Sequence, residues 1–382
     1  MSTQTLSPIP LLNVAKQTAA LRSEIDAAIG RVLDHGQFIL GPEVAQLEER
    51  IAQYCGTRFA ISCASGSDAL LLPLMALDAK PGDTVITTPF SFFATAGSIA
   101  RLGADPVFVD IEPDSFNLDP AALTRLLESF SKTQLAAVRA IMPVHLFGQC
   151  ADMSAIQAVA NRFGIPIIED AAQAIGAKWA GSPAGSMGYC GSFSFFPSKN
   201  LGGPGDGGII TTNDEELAAK LRLLRVHGSG ATYYHKFVGI NSRLDTLQAA
   251  VLLVKLRYLD AWIEGRRNNA AAYREYFEEA PANGIRLPAE IPGAFHVYNQ
   301  FTVRVQNRDQ VKARLADTGT GCAVYYPLPL HLQECFQYLG YSAGDFPVAE
   351  AAAREVLSIP VEPGLGVNDI RTAAERLKLA LS

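Results

Sequence analysis

The sequence has no Cys-x-x-Cys pair. Its six cysteines (Cys55, Cys63, Cys150, Cys190, Cys322 and Cys335) are scattered, which argues against a zinc site or a disulfide framework and for a reducing compartment. It also lacks a lysine- and arginine-rich stripe. With charged residues at 18% and a net charge of −6, a nucleic-acid role has little electrostatic support. Long apolar runs are missing: the densest, Ala69 to Leu77, is too short to span a bilayer and ends at Asp78. The opening "MSTQTLSPIPLLN" has neither the basic nor the apolar region of a signal peptide. A cytoplasmic protein that contacts neither membrane nor nucleic acid is the expectation.

What is present is an apolar content of 48% over 382 residues, enough for a large domain and a smaller one. From about residue 56 to 240, short apolar runs alternate with helical stretches. "DTVITTP" (83–89), "DPVFVDI" (105–111), "AIMPVHLFG" (140–148) and "IPIIEDAA" (165–172) read as buried strands. "DALLLPLMALDA" (68–79) and "DMSAIQAVANRFG" (152–164) read as helices between them. Such alternation predicts βαβ units and a mainly parallel sheet, with ligands at the carboxyl ends of strands. Residues 242–277 read as one long helix linking to a smaller α+β unit, whose strands are expected in "NQFTVRV" (299–305) and "VLSIPV" (356–361). The division is expected at 1–250 and 251–382.

One lysine stands apart. In "SFFPSKNLGGPGDGG" (194–208), Lys199 follows Phe195, Phe196 and Pro197 and precedes a run of glycines. An apolar wall disfavours the charged amine, and a neutral amine can attack a carbonyl. The other reading is a lysine at a strand end, snorkelling to water. The glycines form a formal G-x-G-x-x-G from Gly203 to Gly208, but a strand-like "IITTNDEE" follows instead of a helix. That weakens a nicotinamide-dinucleotide site; a P-loop fails because its lysine would follow the glycines.

Asp170 ends "IPIIED", either as a helix cap or as a carboxylate at the sheet's ligand edge. "SGSD" (65–68) opens an apolar helix, either as an ordinary cap or as a phosphate-binding turn. "PFSFFATA" (89–96) offers aromatic rings, for the core or for a ligand face. Taken in order, these supply what pyridoxal phosphate requires: a phosphate turn, an aromatic face, a carboxylate for the ring nitrogen and a lysine.

Several stretches together resemble the DegT/DnrJ/EryC1/StrS sugar aminotransferases, over nearly the whole chain. They include "HGQFILGPEV" (35–44), "ISCASGSDAL" (61–70), "IIEDAAQAIGA" (167–177), "SFSFFPSKNLGGPGDGGIITTND" (192–214) and "GINSRLDTLQAAVLLVKL" (239–256). The resemblance implies an aspartate-aminotransferase-like α/β fold, with a mainly parallel seven-stranded sheet and a smaller α+β C-terminal domain. It implies pyridoxal 5′-phosphate bound to Lys199, with Asp170 at the ring nitrogen and Gln173 near the phenolic oxygen. Gly66, Ser67 and Ser194 are implied at the phosphate, and Phe92, rather than Phe90 or Phe93, as the stacking ring. Asn241 is implied to reach the phosphate of a second subunit in a homodimer. Arg243, Tyr326 and His331 are implied at the substrate.

The implied reaction moves an amine from L-glutamate to a nucleotide-linked keto-sugar. UDP-2-acetamido-2-deoxy-3-oxo-glucuronate is the nearest subgroup's substrate, with dTDP- or GDP-linked keto-deoxysugars as alternatives. "FPSKNLGGPGDGG" departs from that subgroup just after the lysine. A dehydratase branch carries histidine where Lys199 stands, and a DNA-binding regulator would carry a basic helix-turn-helix.

Overall fold

A computed structural model describes residues 7–231 and 233–382. Seven strands form the main sheet: β1 (Phe59–Cys63), β2 (Thr84–Thr87), β3 (Asp105–Phe108), β4 (Val138–Ile141), β5 (Ile168–Asp170), β6 (Cys190–Ser194) and β7 (Gly208–Thr212). Hydrogen-bonded ladders give the orders β1-β7-β6-β5 and β3-β2-β4. Parallel bridges from Ile141 to Ile167 and from Val144 to Asp170 join the two parts into β1-β7-β6-β5-β4-β2-β3. Only β7 runs antiparallel to its neighbours, so the sheet is mainly parallel. β6 and β7 are joined through the lysine and glycine loop, which turns straight back rather than crossing over by a helix.

The strands are apolar on both faces because helices cover both. Helix α1 (Gly66–Ala76) is buried on almost every side, from Ala69 to Leu74, which fits a composition apolar all round. The stretch 242–277 is two helices, α2 (Thr246–Leu256) and α3 (Leu259–Glu279), broken at Arg257 and Tyr258. No glycine or proline marks that break, and the apolar spacing runs on through it. Both helices pack on the sheet at the break, and only the later turns of α3 leave it. Leu252, Leu259 and Ile263 sit in the large-sheet core with Phe193, Phe195 and Ile209.

From Ala270 onward α3 enters a second core, built from Tyr273, Phe301, Val303, Leu357, Ile359 and Leu377 and closed by Ile9 from the N-terminal segment. Here β8 (Ile285–Arg286), β9 (Phe301–Val305) and β10 (Val356–Ile359) form an antiparallel sheet. Residue 250 therefore falls inside α2, a helix of the larger unit. Among the described residues, no helix is long and apolar enough to cross a membrane.

Candidate active site

A cavity of about 440 Å³ opens at the carboxyl ends of the strands. Gly66, Ser67, Phe92, Asp170, Gln173, Ser194, Lys199 and Tyr326 all line it, brought together from positions up to 260 apart in the chain. Each arrives by a local rule. Asp170 is the last residue of β5, Ser194 the last of β6, and Gly66 the first helical residue of α1. Lys199 follows β6 in a turn closed by its own N–H to the Phe196 carbonyl at 2.9 Å and by Gly203 N–H to the Phe195 carbonyl at 2.7 Å.

Burial acts on Lys199 as its apolar flank suggests. It lowers the amine's pKa to about 8, against the opposing pull of Asp170. At pH 7 that leaves about one amine in ten neutral, against about one in three thousand at the ordinary lysine value. Lys255 is also held at about 8 by burial. It lies outside the cavity, however, and its ammonium donates to the Gly202 carbonyl in the loop that follows Lys199.

Asp170 is fully buried, and burial raises its pKa. Hydrogen bonds from Thr95 Oγ1 at 2.7 Å and from the Ala172 N–H at 3.2 Å oppose the rise, as do the charges of Lys199 and His145. Its neighbour Glu169 points to the other face of the strand, as alternation requires. There it accepts from the Gly185, Met187 and Gly188 N–H groups at 2.8, 2.7 and 2.6 Å, with His145 Nε2 at 2.9 Å. These bonds fix the end of β5 from behind.

At the opposite end of the cavity, α1 presents its first N–H groups. Ser65 caps the helix, accepting from the Asp68 N–H at 3.1 Å. A β-carbon at position 66 would stand 2.6 Å from Ser194 Cβ and 2.8 Å from its Oγ, so only glycine lets helix and strand meet there. Free amides, two hydroxyls and a helix's positive end are the donor set that a phosphate monoester needs. A buried carboxylate and a part-neutral lysine on the same cavity match the ring nitrogen and carbonyl of pyridoxal phosphate, so the residues fit that cofactor. The glycine run serves close backbone approach: a β-carbon on Gly208 would lie 2.3 Å from the Ser65 carbonyl oxygen. The segment opens strand β7 rather than a helix, which is not a dinucleotide turn.

Of the three phenylalanines, Phe92 lines the cavity. Phe90 is buried, and Phe93 stacks on Phe336 at 5.6 Å. Gln173 Oε1 accepts from the Phe147 N–H at 2.6 Å, and its Nε2 lies 3.3 Å from the Tyr326 hydroxyl. Burial raises the Tyr326 phenol's pKa, and nearby Asp170 adds to the effect.

Three expected residues do not reach the cavity. Asn241 is exposed and Arg243 half-buried, while Ser242 between them is buried and donates to Asp68 at 2.7 Å. His331 is buried against Phe346, beside a cluster that includes Phe90 and Phe108 of the larger unit, with Nε2 3.2 Å from Glu350. The sequence reading missed Ser91, Ser198, Asp206 and Gln300 on the cavity wall, and Thr95 behind Asp170. Asp206 lay within the glycine run, which was its only signal; Thr95 carried none.

The model of the DegT/DnrJ/EryC1/StrS aminotransferase family matches residues 19–378. Among relatives, a protein named "Pleiotropic regulatory protein" from Geobacillus stearothermophilus is 49% identical, over 97% of both chains. UDP-2-acetamido-2-deoxy-3-oxo-D-glucuronate aminotransferase from Pseudomonas aeruginosa is 45% identical, over 95% of this chain and 98% of that one. Among solved structures, S. venezuelae DesV in complex with a ketimine intermediate superposes with a TM-score of 0.92 at 40% identity, covering 97% and 98% of the two chains. NtdA from Bacillus subtilis, with bound cofactor PMP, gives 0.90 at 31% identity, covering 100% and 87%. A cavity with the chemistry of pyridoxal phosphate and relatives along its whole length lead to one conclusion: the chain belongs to the DegT/DnrJ/EryC1/StrS family of pyridoxal-phosphate-dependent aminotransferases, with nucleotide-sugar aminotransferases among its close relatives.

Proposed function

We propose that the enzyme transfers the amino group of L-glutamate to the 3-keto group of UDP-2-acetamido-2-deoxy-3-oxo-glucuronate. The observation that carries this choice of sugar is the 45% identity, over 95% of the chain, to the Pseudomonas aminotransferase named for that substrate. When bound, pyridoxal phosphate supplies a carbonyl that amines condense with and a ring that accepts electrons. Lys199 carries the cofactor and, once free, holds and moves the proton at the reacting carbon. An amine near pKa 8 suits that work at neutral pH. Asp170 keeps the ring nitrogen protonated, and Gln173 hydrogen-bonds near the phenolic oxygen. Gly66, Ser67 and Ser194 would hold the phosphate, Phe92 would stack on the ring, and Tyr326 would contact the substrate.

The working form we propose is a cytoplasmic homodimer with shared sites. Phe38, Ile39 and Leu40 are 46%, 47% and 40% exposed, and Ile39 bridges to Asp245, two residues beyond Arg243. An exposed apolar stretch beside Asn241 and Arg243 suits a second copy of the chain, into whose site those two residues would reach. Arg243 from the partner would then meet the sugar carboxylate with a bidentate pair.

A second reading, a neutral dTDP- or GDP-linked keto-deoxysugar, is favoured by Asp206. This carboxylate on the cavity wall opposes an anionic sugar. Incubating the pyridoxamine-loaded enzyme with a panel of nucleotide keto-sugars separates the two. Return of the visible absorbance with the UDP-linked acid supports the first reading, and return with neutral sugars alone supports the second. Borohydride reduction and peptide mapping should place the pyridoxyl group on Lys199; a label on Lys255 would overturn the assignment.

A further inference from the structure

Asp170 is a carboxylate buried to 4% exposure, and the hydroxyl that meets it comes from a helix 75 positions earlier in the chain. Thr95 lies in the first turn of the helix Ala94–Ala100, fully buried, with Oγ1 2.7 Å from Asp170 Oδ2. Ser91 Oγ lies 2.8 Å from the same Thr95 oxygen, and Ser91 itself lines the cavity. Proton counting sets the direction of this chain. An ionised carboxylate only accepts, so Thr95 spends its single hydrogen on Asp170. Ser91 must then donate to Thr95. The result is a polarised row, Ser91 to Thr95 to Asp170, that runs from the cavity wall to the carboxylate. That direction holds only while Asp170 is ionised; a protonated carboxyl would itself donate to Thr95 and reverse the row.

We propose that Thr95, supported by Ser91, is a positioning residue for Asp170, holding its carboxylate ionised and in the rotamer that serves the ring nitrogen of the cofactor. This deepens the aminotransferase reading and rests on it. Other groups act on the same carboxylate. The Ala172 N–H donates to Oδ1, Lys199 faces it across the cavity, and His145 and Tyr326 interact with it electrostatically. Lys199 must also serve as the amine, and His145 is bonded to Glu169, so neither is dedicated to Asp170. Among the described residues the Thr95 hydroxyl meets no other carboxylate. A hydrogen bond to a charged group in a buried setting corresponds to about one to two pKa units.

The test uses full-length Thr95→Val, Thr95→Ser and Ser91→Ala, each loaded with pyridoxal phosphate. Valine keeps the shape and removes the hydroxyl; serine keeps the hydroxyl and removes a methyl. A less ionised Asp170 lets the ring nitrogen lose its proton, and without that positive charge the neighbouring Lys199 nitrogen holds its own proton to higher pH. In Thr95→Val the pH midpoint of the bound cofactor's visible band should therefore rise by about one unit or more. The kcat should fall about tenfold or more, with KM for the amino donor within about twofold. Thr95→Ser should return both to near wild type, and Ser91→Ala should shift the midpoint in the same direction by less. If Thr95→Val does not fold, the Ser91→Ala shift decides.

An unmoved midpoint in the folded variants overturns the proposal. So does a Thr95→Ser enzyme as impaired as Thr95→Val, which would make the methyl, not the hydroxyl, the important group. Failure of the wider reading looks different: the wild-type chain itself would then form no visible band on Lys199.

Discussion

Gly66→Ala and Gly30→Ala make the same chemical change at two helical glycines, and the structure assigns them opposite signs. Gly30 lies within the helix Arg22–His35, and an added β-carbon there meets nothing within 4 Å. Alanine at that position should stabilise the fold by about 0.5–1 kcal/mol, through the smaller entropy it loses on folding. At Gly66 the β-carbon would lie 2.6 Å from Ser194 Cβ and 3.2 Å from Ser194 Cα. Carbon atoms rest about 3.5–4 Å apart, so α1 and the end of β6 must separate by roughly 1 Å. Ser194 closes a central strand paired with β7 and cannot swing away alone. Overpacking of this kind costs about 1–3 kcal/mol, more than the helical preference for alanine returns. With Ser194 at the phosphate as proposed, its displacement also removes a charge-assisted bond of about 1.5–3 kcal/mol, roughly ten- to hundred-fold in affinity. Urea unfolding of the cofactor-free variants and titration with pyridoxal phosphate measure the two effects separately. If Gly66→Ala is as stable as Gly30→Ala and binds the cofactor with wild-type affinity, the close contact of α1 with β6 is not what shapes the cradle.

Asp170→Asn should lose at least about a hundredfold in turnover while retaining the cofactor, because an amide cannot keep the ring nitrogen protonated; near-normal turnover would reduce Asp170 to a cap on the turn at Ala172, since no helix follows it. Mixing inactive Lys199→Ala with an Asn241→Ala, Arg243→Ala double variant, under conditions of subunit exchange, should restore activity, since one site of the mixed dimer is then intact. No recovery despite confirmed exchange would assign both residues to their own subunit's site. For pH, the amine of Lys199 sits near 8 when folded and at the ordinary lysine value of 10.5 when unfolded. Between those values the unfolded chain binds more protons, so this group adds stability as pH rises. Relative to Lys199→Met, the cofactor-free wild type should gain about 1 kcal/mol per pH unit from pH 8 to 10. Parallel stability curves for the two proteins would refute the buried amine.

Much of the site was legible in order along the chain. "SGSD" before an apolar helix, a carboxylate at the end of "IPIIED" and a lysine between phenylalanines and glycines are local patterns, each with a local cause. Helix starts, strand ends and glycine turns are set by a few neighbouring residues, so they can be read without contacts. The βαβ alternation likewise places the strand ends, and hence the ligand edge, from sequence pattern alone.

What the sequence by itself determined was therefore the mainly parallel sheet and the strand-end, helix-start and loop positions of Asp170, Ser194, Gly66 and Lys199, which the structure brings to one cavity. Tertiary structure alone decided the rest. The break between α2 and α3 has no glycine or proline to announce it, and Leu252 and Leu259 on either side of it pack into the same core. Thr95 reads as an ordinary helical threonine until β5 is laid beside it, and Gly66 as an ordinary first-turn residue until Ser194 arrives from 128 residues away. Asn241, Arg243 and His331 sit in motifs that suggested a site, yet within one chain they lie outside the cavity, because motif spacing does not specify where a loop packs. Short-range order follows from propensity and capping, which act within a turn or two. Which side chains meet across the sheet depends on how all the layers close around a common core, and no single segment encodes that.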